Sequence, residues 1–504
     1  MPLALALGVA AAAELPARPA RANGRMPGAT ELTIGRRDPG HLLARATYGL
    51  VQSFDGGASW QWICEQAINV SGEADPPLAL TADGSLVLLP TTGATLISRD
   101  RGCTWQHAPA PLESSRPIDL TVDPSDAAHV LVLTGTIDSI DDRGVVSYTN
   151  VLFETRDNAA SWTAVGTLPS DLEVETLEIA ASDPNRLYVS GTASASPLIG
   201  VIERSDDGGQ SWTRTTLDLP PTSGSLFVSA IDPNDPDRLW VRVPAQGDRF
   251  GLFPASLLVS ADSGASFAML GATEQGMLGF ALSPDGTRLA YGGPADGLFI
   301  GASDGSGAFT QVSTLRVRCL RWNADGLYAC GTQPQDPFSV GLSTDEGASF
   351  RPVYRMSDTC PQQCADDTSF ASSCQPPWNA IGPRIAASGE SCAVPWARTP
   401  PLPGAGGAAG ATDAGTPLDA GTADDGGGMP EPDAGAARPP AAMRTDDDGG
   451  CSSVSAGIRA TAVLPPVWAA LVGLLAAARL RRSRSAQRVQ SSLHSGADGS
   501  SRHT

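Results

Sequence analysis

The octapeptide SFDGGASW (Ser53 to Trp60) decides the reading of this chain, because it comes back at intervals along the sequence. It returns as SRDRGCTW (Ser98 to Trp105), TRDNAASW (Thr155 to Trp162), SDDGGQSW (Ser205 to Trp212), SADSGASF (Ser260 to Phe267) and STDEGASF (Ser343 to Phe350). A shortened copy, SDGSGAF (Ser303 to Phe309), fills the one large gap. The shared pattern is [ST]-x-D-x-G-x-[ST]-[WF], with Ala159 standing where the other full copies have glycine. Neighbouring copies lie 40 to 57 residues apart, which suits one four-stranded blade of a β-propeller.

Each part of the pattern has a physical task. An aspartate in a tight turn accepts hydrogen bonds from backbone N–H groups two or three residues on, and glycine takes positive φ without steric cost. The closing aromatic packs over the turn and on the neighbouring strand. The octapeptide therefore reads as a hairpin staple between the third and fourth strands of a blade. On this reading Asp55, Asp100, Asp157, Asp207, Asp262 and Asp345 are structural, as are Trp60, Trp105, Trp162, Trp212, Phe267 and Phe350.

The remainder of each repeat supplies the other strands. Asp-Pro or Asp-Gly turns followed by apolar strands precede most copies, as in DPSDAAHVLVLTG from Asp123 and DPNDPDRLWVR from Asp232. Shorter strands come before those, such as Ile118 to Val122 and Leu226 to Ala230. The expected fold is all-β: seven antiparallel four-stranded blades over residues 27–355, with the octapeptide turns on the outer rim.

These residues resemble the Asp-box, or BNR, repeats of sialidase, sortilin and xyloglucanase-like propellers. That resemblance implies the fold more directly than a function, since propellers host both enzymes and inert scaffolds.

Composition narrows the function classes. The formal net charge of −20 argues against nucleic-acid binding, which needs a basic surface. All 34 basic residues are arginine, as expected of a GC-rich bacterial genome. Residues 1–22, MPLALALGVAAAAELPARPARA, carry an apolar run from Leu3 to Ala13. Ala20 and Ala22 then form a small-residue cleavage pattern, which together read as an export signal.

Eight cysteines lie in or just after the repeats: Cys64, Cys103, Cys319, Cys330, Cys360, Cys364, Cys374 and Cys392. An even set in an exported chain reads as disulfides, whereas zinc lacks both a C-x-x-C pair and a nearby histidine. No cofactor is expected. Cys319 and Cys330 flank the turn Asn323 to Gly326 symmetrically and are expected to bond across a hairpin. Cys64 and Cys103 are expected to pair between blade one and the next turn. Residues 356–398 form a Cys-rich segment too small for a large core, whose four cysteines allow three pairings.

Residues 399–450 are rich in Ala, Gly, Pro and Asp and read as a flexible stalk. Within 451–484, the apolar stretch Ala460 to Ala478 is long enough to cross a bilayer, and Arg479, Arg481, Arg482 and Arg484 follow it. A polar tail occupies 485–504. The order Gly-Cys, apolar span, arginine cluster resembles the MYXO-CTERM sorting tails of surface proteins. That resemblance implies that Cys451 is the processing and anchoring residue, that a sorting protease acts there, and that the chain ends up at the cell surface.

Catalytic motifs are sparse. Five histidines are scattered, and no G-x-S-x-G, HExxH, P-loop or EF-hand loop stands out. The Arg-Ile-Pro motif implied by a sialidase resemblance is absent where the chain reads TIGRRDPG, with Arg36 and Arg37 as paired arginines. Asp138, Asp141 and Asp142 lie in the longest insertion, TIDSIDDRGVVSYTN, and are candidates for a carboxylate across a cleft. A solvated acidic loop is the plainer reading of them. Two functions follow: a non-catalytic surface module that binds a glycan, protein or matrix component, and an exported glycoside hydrolase.

Overall fold

The computed structural model describes residues 27–70, 75–90, 93–193, 199–219, 223–245, 253–364 and 369–385. The signal-like segment, the stalk, Cys392, Cys451 and the apolar span at Ala460 to Ala478 lie outside them. Among the described residues no helix is long and apolar enough to cross a membrane.

Seven antiparallel sheets follow one another along the chain, over residues 29–63, 78–107, 117–168, 172–218, 227–273, 279–313 and 319–354. Each blade uses four consecutive strands, with sequence neighbours paired. The first strands of successive blades touch in ring order, and that of blade seven (Cys319–Asn323) touches that of blade one (Ala29–Ile34). Cores of Leu, Ile, Val and Trp fill the spaces between successive sheets, so each blade buries both faces against its neighbours. This is a seven-bladed propeller, with the fourth strands on the rim.

Every full octapeptide forms the turn between third and fourth strands. In the first copy, Ser59 donates to Asp55 through its backbone N–H (2.9 Å) and its hydroxyl (2.6 Å), and the Ser53 hydroxyl donates at 2.7 Å. The amide of Gly57 donates to Ser53 Oγ at 2.8 Å. The same bonds recur around Asp100, Asp157, Asp207, Asp262 and Asp345. The aspartate thus reaches four residues on, farther than the two or three expected. Two consecutive left-handed residues, such as Gly56 (φ 68°) and Gly57 (φ 96°), curl the chain back over it.

The pattern glycine also fills a packing role. A Cβ at Gly57 would lie 2.6 Å from Val353 of blade seven, at Gly102 2.2 Å from Ile63 of blade one, and at Gly209 2.5 Å from Leu152 of blade three. Each turn therefore presses against the preceding blade. Ala159 keeps the left-handed conformation (φ 63°) and is fully buried, in the same apolar cluster as Ala79, Val87 and Ala108. In the shortened copy, Gly305 takes the contact, with Leu270 of blade five at 2.5 Å from its added Cβ.

The four antiparallel strands of each blade come from one continuous stretch of the chain, and the ring is closed by an added strand. Thr359–Pro361 adds a fifth strand to blade one, parallel to the rim strand Trp60–Ile63. Trp60 Nε1 donates to Val353 O at 3.0 Å across the seam. The helix Ser369–Ile381 follows and places Trp378 against Trp62, with ring centroids 5.4 Å apart.

Two disulfides fasten this segment: Cys64–Cys374, with Cα atoms 5.3 Å apart, and Cys103–Cys364, at 5.6 Å. The expected Cys64–Cys103 bridge is therefore overturned, as is the expectation of pairing confined to the Cys-rich segment. Both cysteines sit on the outside of blades one and two, where the returning segment lies over them. Cys319 and Cys330 face each other in register and are bonded, with Cα atoms 4.8 Å apart. Cys360 is disulfide-bonded as well.

Candidate functional site

The octapeptide aspartates sit at exposed turns with their oxygens taken up by turn donors. Hydrogen bonds from Ser211 and Ser205 hold Asp207 down to about 2, and those from Ser349 and Ser343 do the same for Asp345. Such carboxylates are ionised acceptors and poor proton donors. The closing aromatics are buried or half-buried; Trp60 and Trp105 donate from Nε1 to the turn carbonyls of Gly57 and Gly102, both at 3.1 Å.

Asp138, Asp141 and Asp142 lie on a hairpin of blade three that outgrows its sheet. The strands Val130–Ile140 and Val146–Thr155 continue past the neighbouring strands, whose pairing stops at Thr134 and Asn150. Residues 136–145 are all exposed, among them Ile137, Ile140 and Val145. Asp141 organises the tip by accepting from the backbone of Arg143 and Val145 (2.8 and 2.9 Å) and from the Arg143 guanidinium. Among the described residues, the hydrogen-bond partners of Asp141 all lie within the tip itself. Arg36 donates to Pro124 O at 2.6 Å, fixing blade one to the turn of blade three.

A charged cluster that no motif announced lies where the inner strands converge. Glu31 is in register with Arg45 in the first hairpin, and the two form an ion pair of 2.7 Å with both side chains buried. Arg45 also reaches Asp75 at 3.7 Å and donates to Pro76 O at 2.9 Å, just before blade two begins. Arg242 repeats this device in blade five: it donates to Met277 O at 2.5 Å, just before blade six, and lies 4.9 Å over the Phe227 ring. Both arginines therefore fasten a second strand to the start of the next blade. Burial draws Arg242 down to about 10 against the opposing pull of Glu175.

Asp119, on the first strand of blade three, accepts the amide of Leu177 at 2.9 Å and so satisfies the inner edge of blade four. It is half-buried. Enclosure by protein pushes its carboxyl up to about 7; the Leu177 and Leu120 amides pull it back, and Glu31 and Glu175 add repulsion. Blade five's edge is capped in a neutral way, with Val228 donating to Thr176 Oγ1 and Ser190 Oγ, both at 3.1 Å. Chemically, Asp119 is suited to holding and releasing a proton near neutral pH beside the half-buried Glu175. Its sequence context, PIDLTV, gives no hint of this.

Among the described residues, no group of three or more His, Cys, Asp or Glu side chains is arranged to hold a metal ion. No family model and no curated protein matches the sequence. Among solved structures the chain is similar to an α-L-arabinanase of Penicillium chrysogenum in complex with arabinobiose, at 18% identity over 51% of this chain and 88% of that one, with a TM-score of 0.36. A protein of unknown function from Dyadobacter fermentans matches at 12% identity over 56% of this chain and 93% of that one (TM-score 0.36). The GH74 xyloglucanase of Xanthomonas campestris matches at 17% identity over 67% of this chain and 57% of that one (TM-score 0.32).

Proposed function

We propose that the chain is an exported, non-catalytic propeller of the Asp-box type that binds a glycan, protein or matrix component at the cell surface. The observation that carries this reading is where the charged groups go. The octapeptide aspartates are spent on turns. Glu31, Arg45 and Arg242 are spent on fastening blades. Disulfides that span 310 and 261 residues support an oxidising compartment, hence export. In this reading the segment 451–484 tethers the chain, with processing at Cys451.

A second reading, an exported glycoside hydrolase, is favoured by one feature. Asp119 and Glu175 are two coupled, half-buried carboxylates on adjacent inner strands, and Asp119 holds its proton up to about pH 7. A glycan array and a hydrolase panel, run on the wild-type protein and on Asp119→Asn, separate the two. Binding without turnover, unchanged in the variant, supports the module. Turnover in the wild type that disappears in Asp119→Asn establishes the hydrolase.

A further inference from the structure

Four large apolar side chains are exposed among the described residues, and three of them stand together on the blade-three hairpin: Ile137 (51%), Ile140 (63%) and Val145 (38%). Every residue from 136 to 145 is exposed, so this tip buries no apolar surface among the described residues. Folding gains nothing from aliphatic side chains held in water, and a two-stranded ribbon has little stability of its own. The ribbon is nonetheless braced. The Tyr148 amide donates to Ser170 O at 2.7 Å, and the Arg143 guanidinium pairs with Asp141 at 2.9 Å. A tip held in shape in advance loses less entropy when a partner arrives.

Charge narrows the partner. Arg143 neutralises Asp141, whereas Asp138 and Asp142 have no ion pair among the described residues. The tip thus presents aliphatic groups flanked by two free carboxylates. A second copy would set acid against acid, and an anionic bilayer would be repelled in the same way. Residues 136–145 also include no aromatic ring on which a sugar could stack. The edge of Thr136–Ile140 is open as well, because the pairing with Pro117–Val122 ends at Thr134.

We propose that this tip docks an extended segment of a partner protein, one rich in aliphatic and basic residues. The segment lies along the open edge, its aliphatic side chains against Ile137, Ile140 and Val145 and its cations beside Asp138 and Asp142. The inference rests on the binding-module reading and names a protein as the partner.

The test uses the full chain on a synthetic peptide array in which aliphatic content and charge vary independently. Wild type should retain peptides that combine aliphatic and basic residues. Ile137→Ser/Ile140→Ser/Val145→Ser should weaken this at least about tenfold with the urea midpoint unchanged, since all three side chains are exposed. Asp138→Arg/Asp142→Arg should move the preference to acidic peptides, a change that no loss of structure produces. Retention that ignores both variants, or no retention at all, overturns the proposal; should the triple variant not fold, the charge reversal still decides. Flotation with phosphatidylcholine vesicles, or self-association in sedimentation equilibrium, that is lost in the triple variant assigns the tip to lipid or to a second copy and also overturns it. A glycan-array signal unchanged in both variants, without peptide retention, sinks this inference and leaves the binding module standing. Turnover abolished by Asp119→Asn sinks the module reading instead, and the array then reports on the tip separately.

Discussion

The Tyr48 and Tyr354 hydroxyls meet at 2.6 Å across the seam where blade seven closes onto blade one. Both rings are buried, and Tyr354 also bonds to Thr359 Oγ1, so the pair links the first blade, the last blade and the closing strand. Enclosure pushes the Tyr48 phenol up to about 12, which keeps it protonated as a donor. Tyr354→Phe removes two bonds at once and leaves the buried Tyr48 hydroxyl with Thr359 as its remaining side-chain partner. The expected loss is about 1–3 kcal/mol in urea denaturation. A variant as stable as wild type would show that the seam does not depend on this pair.

Gly209 tests whether the turns are set by backbone conformation alone or also by blade packing. It sits at φ 96°, and an added Cβ would fall 2.5 Å from Leu152 Cδ2 of the preceding blade. Gly209→Ala should destabilise by about 2–4 kcal/mol, the sum of left-handed strain and overpacking. Pairing it with Leu152→Ala separates the two effects. The cavity left by Leu152 accepts the new methyl, so the double variant should lose less than the sum of the single losses.

Asp207 and Asp345 give the fold an acid limit. Their carboxyls are held down to about 2 in the folded protein, against roughly 3.9 in an unfolded chain. A depressed folded value contributes stability above the unfolded one, and that stability drains away as pH falls from about 4 to 2. The urea midpoint should therefore drop steeply through this window. Asp207→Asn should lower the midpoint at pH 6 and make its decline below pH 4 shallower. A variant whose pH profile runs parallel to wild type would assign the acid response to other groups.

Why the fold was readable and the closure was not comes down to range. The octapeptide carries its own turn chemistry within eight residues, so seven blades could be counted from the chain alone. Even there, the two hydroxyl positions belong to the pattern but their task does not show in it: Ser53 Oγ accepts the Gly57 amide and the Ser59 hydroxyl donates to Asp55, bonds that only the folded turn reveals. Cys319–Cys330 was legible because eleven residues and one hairpin fix its register. Cys64 and Cys103 look like partners in one dimension. Their real partners arrive 310 and 261 residues away, once the ring has closed. Likewise Glu31 and Arg45 become a pair only when their strands are aligned, and Asp119 acquires its environment from blades one and four.

Asp119 offers the sharpest check on the inner cluster. Its carboxyl titrates near 7 in the folded chain and near 3.9 when unfolded, so between those values the folded state holds the extra proton. Stability contributed by that proton is complete below about pH 4, declines as pH rises toward 7, and is gone above it. Asn in its place keeps an oxygen for the Leu177 amide and carries no charge. Asp119→Asn should therefore match wild type near pH 4.5 and exceed it at pH 8 by about 1–3 kcal/mol, since water at this half-buried site screens part of the shift. Urea denaturation of both proteins at the two pH values measures the difference. An equal offset at both would mean that Asp119 is ionised throughout, which would remove the proton donor on which the hydrolase reading rests. A pH-dependent gain together with unchanged glycan binding would identify Asp119 as an edge cap that holds blade four, with its proton incidental to function.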